Sequence, residues 1–294
     1  MSARLEIDAA QAIRVADPVP DTMEEITRRA IAPVSGGQSP HAVRTPFRTR
    51  LPLEARRLLR ARRRRAAIFA LEGSLVDSQE ARVLAWLVAM HDCGYDVSLE
   101  LLRPLMGMGP GELIPTATGL SANSEEARRI LVRQAQVFQT WYLPRLLPFV
   151  GTRRLLHRMK RDGMRTLAVV STSGQEAAEL LRASSAGDLL DDVITAGDDA
   201  PNATFAHALE TAVARSGCGR EGAVLIGNSP FDVAVGRRVG IGVVALRSGG
   251  WSTEALQGAV AIYEDVQDLL ARYGSSPFGS ADTRHHDREL DLVH

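Results

Sequence analysis

The sequence predicts an α/β fold: a parallel, doubly wound sheet interrupted once by an inserted block of helices. Three observations carry the prediction. After Pro148, short apolar runs that suit buried strands alternate with helical stretches as far as Tyr273. A lone strand signal, Ala66-Ala67-Ile68-Phe69-Ala70-Leu71, stands ahead of that series. Between the two, residues 79–147 carry a helical pattern with no strand signal. Strands that alternate with helices pair in parallel, because each crossover helix returns the chain to the same end of the sheet. Sites on such sheets sit at the carboxyl ends of the strands. The loops to inspect therefore begin at Ala70, Ser171, Ala196 and Gly227.

Taken in order, residues 1–65 differ in texture from the rest. Thr22, with Glu25 three positions on, forms a capping-box pattern before a short helix that stops near Pro33. SGGQSPHAVRTP then reads as loop or disordered chain. A second helix is expected from Leu53 into Arg65, with seven arginines between Arg56 and Arg65. Such a run reads first as a solvated basic face, and second as a docking arm for an acidic partner or RNA. The strand at 66–71 ends at Glu72-Gly73-Ser74, a tight turn. Asp77 and Ser78 stand where they would cap the first inserted helix. Beyond Pro148, strands are expected at 166–170, 192–195, 223–226 and 242–246, with helices at 175–183, 203–215 and 233–239. A last pair at 260–262 and 266–273 closes the core. The tail from Gly274, rich in Ser, Pro and Gly with a His285-His286 pair, is expected to be disordered. The organisation is thus an extension at 1–65, a core at 66–78 and 148–273, a helical insertion at 79–147 and a tail at 274–294.

Composition excludes several classes. The 294 residues suffice for two domains, and 45% of them are apolar, as in soluble globular proteins. The formal net charge is zero, so no global field favours nucleic acid or membrane, and a protein is the expected partner of the Arg-rich segment 56–65. No apolar run reaches the roughly 18–20 residues of a membrane span. Glu6 and Asp8 interrupt the region where a signal peptide would carry its apolar core. Cys93 and Cys218 lie far apart without a CxxC spacing and read as free thiols in a reducing compartment. A cytoplasmic protein is expected. Arg- and Ala-rich usage with little Lys suggests a bacterial coding sequence of high GC content.

The chemistry-bearing segments follow in a recognisable series. Ile68-Phe69-Ala70-Leu71-Glu72-Gly73-Ser74-Leu75-Val76-Asp77-Ser78 resembles the pattern D-x-D-G-T-L-x-D-S at the end of a first strand. Ser171 ends the second strand, and Gly197-Asp198-Asp199-Ala200-Pro201 precedes the third helix. Ile226-Gly227-Asn228-Ser229-Pro230-Phe231-Asp232 is similar to G-D-S-x-x-D, and Arg247-Ser248-Gly249-Gly250 follows. In this order and spacing the segments resemble the haloacid dehalogenase (HAD) superfamily over residues 66–273. The helical insertion resembles the cap of its phosphoglycolate phosphatase and β-phosphoglucomutase branch. The resemblance implies a HAD-like Rossmann core, an α-helical cap and phosphoryl-transfer chemistry with Mg2+.

It also implies what each position should do, and four positions depart from it. The family's nucleophile and metal ligand is a carboxylate, and this chain has Ala70, whose methyl group does neither job. The general acid and base position holds Glu72, which keeps the carboxyl but moves it one methylene outward. A displacement of ~1 Å at such a position costs ~100-fold in rate. The lysine that would neutralise the phosphoryl group is replaced by Thr204, and the metal-binding carboxylate by Asn228. Asp232 is retained, so Asn228 and Asp232 make a weak metal site at best. The losses are mutually consistent, because a buried lysine without its carboxylate is an unpaired charge.

A cradle remains. Gly73, the hydroxyls of Ser171, Thr172 and Ser173, Thr204, Asn228 and Asp232 surround a mouth where helix N-termini favour an anion. These groups equally serve as plain helix caps. The glycine-rich stretch Gly107–Glu112 of the insertion either faces that mouth, where Glu112 would oppose an anion, or is a plain turn. The leading expectation is a HAD-like pseudoenzyme that binds a phosphorylated metabolite, or a protein through segment 56–65, without a cofactor. The alternatives are an active hydrolase that uses Glu72 with Mg2+, and a purely structural interaction module.

Overall fold

The computed structural model describes residues 66–172, 174–195 and 204–279. The readings for segments 1–65, 196–203 and 280–294, and for Ser173, lie outside the described residues. Six parallel strands form one sheet in the order β3-β2-β1-β4-β5-β6. They are β1 (Ala66–Ala70), β2 (Arg165–Val170), β3 (Asp192–Thr195), β4 (Ala223–Gly227), β5 (Gly242–Leu246) and β6 (Ala261–Tyr263). β1 and β4 are buried at every residue, which is why their sequences run apolar without alternation. The α-helices longer than one turn are α1 (Gln79–Asp92), α2 (Pro110–Thr118), α3 (Glu125–Val137), α4 (Thr152–Arg161), α5 (Gly174–Ala183), α6 (Phe205–Ser216), α7 (Pro230–Val239) and α8 (Val266–Ala271). This Rossmann-like arrangement is the one expected.

Alternate residues of β1 face opposite layers. Ala67 and Phe69 pack with Leu155, Met159 and Leu269, from α4 and α8. Ala66 and Ile68 pack with Leu209, Val213 and Val239, from α6 and α7. A third cluster joins Val83, Trp86, Met90, Leu105, Leu113 and Ile130 within the helical insertion. The chain enters and leaves the insertion side by side: Val76 bridges Pro148 in antiparallel fashion, and the Asp77 N–H donates to Leu147 O at 3.0 Å.

β1 is central, with β2 and β3 built outward on one side and β4 to β6 on the other. The direction of winding reverses there, and the crossover helices leave a crevice at the carboxyl ends of β1, β2 and β4. The register aligns Ala70 with Val169 and Phe69 with Ile226, which brings the loops after all three strands together.

Two expectations are corrected. Ser78 is the N-cap residue of α1 but makes no side-chain cap bond. The chain does not become disordered at Gly274: residues 274–279 pack on the core, with Phe278 only 7% exposed and stacked on Tyr273 at 6.4 Å between centroids. An aromatic side chain buried against another outweighs the loop-forming composition around it. Among the described residues, no helix is long and apolar enough to cross a membrane.

Candidate functional site

β1 ends at Ala70, whose methyl group faces a cavity of about 1660 Å³. Ala70, Glu72, Ser171, Thr172, Thr204, Asn228 and Asp232 all line it, so the crevice gathers these sequence-predicted positions. Gly73 stands behind the wall: a Cβ there would lie 1.8 Å from Asn228 Nδ2, and its φ of +74° suits glycine. The carbonyl of Gly73 accepts from the Ser248 hydroxyl at 2.7 Å, so the Arg247-Ser248-Gly249-Gly250 loop holds the β1 turn in place. Arg247 itself pairs with Glu264 at 2.8 Å.

Glu72 is not a free acid or base. Its carboxylate receives a two-pronged contact from Arg82 of α1, Nε to Oε2 at 2.7 Å and Nη2 to Oε1 at 3.0 Å. The same guanidinium donates to Glu176 Oε1 at 2.5 Å, from the first turn of α5. Its carbon lies 3.5 Å from the centroid of the Phe138 ring. Glu176 Oε2 also accepts from Gln139 Nε2 at 3.0 Å. Side-chain exposures of 16%, 18% and 10% for Arg82, Glu72 and Glu176 put the triad mostly out of solvent. Burial works against the guanidinium charge. The attraction and hydrogen bonds of Glu72, and then of Glu176, more than offset it and hold the Arg82 pKa above its ordinary value. Two carboxylates on one guanidinium leave the triad a formal charge of −1.

The remaining positions are occupied by local structure. Thr204 is the N-cap of α6, and its hydroxyl accepts the His207 N–H at 3.4 Å. Asp232 forms a capping box with Ser229 at the start of α7. One oxygen, Oδ2, accepts the Asn228 and Ser229 N–H groups at 2.9 Å each and the Ser229 hydroxyl at 2.8 Å. Gly227 permits this fold-back, since a Cβ there would meet Asp232 Cβ at 2.5 Å. Burial raises the Asp232 pKa, and those three hydrogen bonds only partly oppose the rise. Asn228 is 7% exposed and lies between Gly73 and Gly249.

The donor set does not suit magnesium, a hard cation that takes carboxylate oxygens in a near-octahedral shell. Position 70 offers a methyl group, position 228 an amide packed on glycine, and Asp232 commits an oxygen to its helix cap. Glu72 is held by Arg82. Among the described residues, no group of three His, Cys, Asp or Glu side chains could hold a metal ion.

Sequence reasoning missed Arg82, Glu176 and Phe138. Arg82 sits one turn into α1 with nothing in its neighbours to mark it, and its partner Glu176 is 94 residues away. The glycine-rich stretch does approach the crevice. Gly107 has a φ of +99°, and a Cβ there would lie 2.6 Å from the Phe231 ring, so the insertion rests directly on α7.

A model of haloacid dehalogenase-like hydrolases matches residues 67–246. The chain belongs to that family. PpaX of Caldanaerobacter subterraneus subsp. tengcongensis, which carries a pyrophosphatase name, is 22% identical over 209 residues, 70% of this chain and 92% of that protein. A hydrolase from Pseudomonas syringae has a similar structure, with a TM-score of 0.61 at 24% identity over 74% of this chain and 100% of its own. A haloacid dehalogenase-like family protein from Streptococcus pneumoniae gives a TM-score of 0.61 at 19% identity, over 71% and 98%. These structural likenesses are likenesses of fold. The scaffold is that of HAD hydrolases and phosphatases, a family that typically uses Mg2+.

Proposed function

We propose that this HAD-family chain has given up phosphoryl transfer and works by binding, at the crevice between sheet and insertion or through the Arg-rich segment 56–65. The observation that carries the reading is the end of β1, where a methyl group replaces the nucleophile and the next carboxylate, Glu72, is clamped by Arg82. A covalent phospho-enzyme needs a nucleophilic side chain at that point. The alternative, in which Glu72 activates water, requires the carboxylate to leave a two-pronged ion pair. Freed from it, Glu72 would still find no metal-binding carboxylate at position 228 and no lysine at position 204.

The test is an assay of the full chain with magnesium against a panel of phosphomonoesters. The expected result is phosphate release no faster than in a buffer control. Turnover that Glu72→Ala abolishes would end this reading and establish the alternative.

A further inference from the structure

We infer that the crevice takes an uncharged, largely apolar small molecule through a carbonyl or hydroxyl oxygen, and not a phosphorylated one. The inference rests on the non-catalytic reading above and goes further by naming the ligand class. Two side chains that line the crevice, one from the insertion and one from the core, carry buried polar atoms without partners. Gln134, on α3 of the insertion, is 5% exposed, lines the cavity, and its Nε2 has no hydrogen-bond partner. Thr172, in the loop after β2, lines the same cavity with Oγ1 buried and equally unpartnered. Buried donors are nearly always satisfied in native proteins, so two orphans on side chains that line one cavity point to an acceptor reached when those side chains turn toward it.

Charge decides what carries that acceptor. Glu72, Glu112, Glu176 and Glu254 line the cavity, and Arg82 is already shared by Glu72 and Glu176. A phosphate dianion beside the triad would meet its excess negative charge, with its one cation already taken. Arg237 and Arg238 also border the cavity, but at the far end of α7. At 1.5 Å per residue they lie roughly 10 Å along the helix from its first residue, Pro230. Much of the lining is apolar, with Trp86, Met106, Leu113 and Phe231. An apolar wall with a few convergent polar groups is how small-molecule sites fix orientation.

Three probes with one benzyl group and different heads separate the possibilities: N-benzylacetamide, benzyl phosphate and benzylamine. Binding to the full chain is followed by protein-observed NMR or calorimetry. N-benzylacetamide should bind about tenfold more tightly than either charged probe. Gln134→Leu and Thr172→Val should each weaken it several-fold, with the Tm of each variant unchanged or raised, since each removes an unsatisfied group. Benzyl phosphate binding as tightly as the amide would overturn the inference. So would absence of amide binding at millimolar concentration, or binding indifferent to both substitutions. Phosphate released from benzyl phosphate in the same samples would instead refute the non-catalytic reading, so the two failures are distinguishable.

Discussion

Arg82→Leu should be among the most damaging single substitutions in this chain. It leaves Glu72 and Glu176 facing one another with side chains only 18% and 10% exposed. Deleting one partner of a buried ion pair costs ~3–5 kcal/mol, because the other charge stays desolvated and unpaired. Here two charges are stranded, and contact with the Phe138 ring at 3.5 Å is lost as well. Residual solvent access lets the carboxylates relax toward water, which places the loss near the lower figure, about 3 kcal/mol. For a folded unit of this size that lowers Tm by about 6–12 °C. The assay is thermal unfolding followed by circular dichroism at neutral pH. The control is the uncharged triple variant Arg82→Leu, Glu72→Gln, Glu176→Gln, which strands no charge and should recover most of the loss. A Tm drop of less than about 2 °C for Arg82→Leu, within reach of a typical surface pair, would refute the reasoning. A triple variant as unstable as the single one would do so equally.

Ala70→Asp alone should not create a phosphatase, because Thr204 and Asn228 still supply neither cation nor metal ligand; phosphate release above background in a magnesium-containing assay would show that the damage to the site is smaller than argued. Gly249→Ala should destabilise the fold by about 1–3 kcal/mol or more, since a Cβ there would lie 2.1 Å from the backbone oxygen of Asn228. Gly250→Ala meets no atom within 4 Å and strains only its φ of +81°, so it should cost about 1–2 kcal/mol; chemical denaturation that ranks the two in reverse order would contradict the packing. Burial pushes the Tyr263 phenol from 10.0 up to about 12. The fold therefore keeps a proton that the unfolded chain releases, and stability should fall as pH rises between those values. At 1.36 kcal/mol per pKa unit the full loss, reached above the higher value, is about 3 kcal/mol. Tyr263→Phe should flatten that part of the stability profile, and an unchanged alkaline slope would count against it.

What was legible in the sequence was whatever short-range pattern controls. Strand and helix positions after Pro148 could be read because each run is apolar enough to be buried whole, as β1 and β4 are. The positions around the crevice could be read because the turns after β1 and β4 keep the glycines their backbones require, Gly73 at φ +74° and Gly227 under Asp232. The sheet order was not legible, since the apolar character of β1 does not say that Ile68 pairs with both Leu167 and Leu225. Nor was the Glu72–Arg82–Glu176 contact, since Glu176 lies 94 residues from Arg82. Phe278 was misread for a related reason: its neighbours are loop-formers, and only its packing on Tyr273 orders them.

The triad changes the meaning of the four substitutions. Read singly, Ala70, Glu72, Thr204 and Asn228 are departures from the pattern that the family resemblance implies. Read with Arg82 they describe a new charge balance. The family resemblance implies carboxylates offset by a metal ion and a lysine, both aimed at an incoming anion. This chain keeps a carboxylate at position 72, places another at position 176, and offsets them with a guanidinium that is part of α1. A cation supplied by the insertion differs from one held in the mouth, because its charge is used up inside the protein and none is left for a ligand. It also ties α1 to both the β1 turn and α5, so these crevice walls are joined by ion pairs within the protein. Restoring the nucleophile would therefore add a further negative charge to a wall that already carries an excess. If the proposed non-catalytic reading holds, an attempt to install phosphoryl transfer has to begin with Arg82, before position 70.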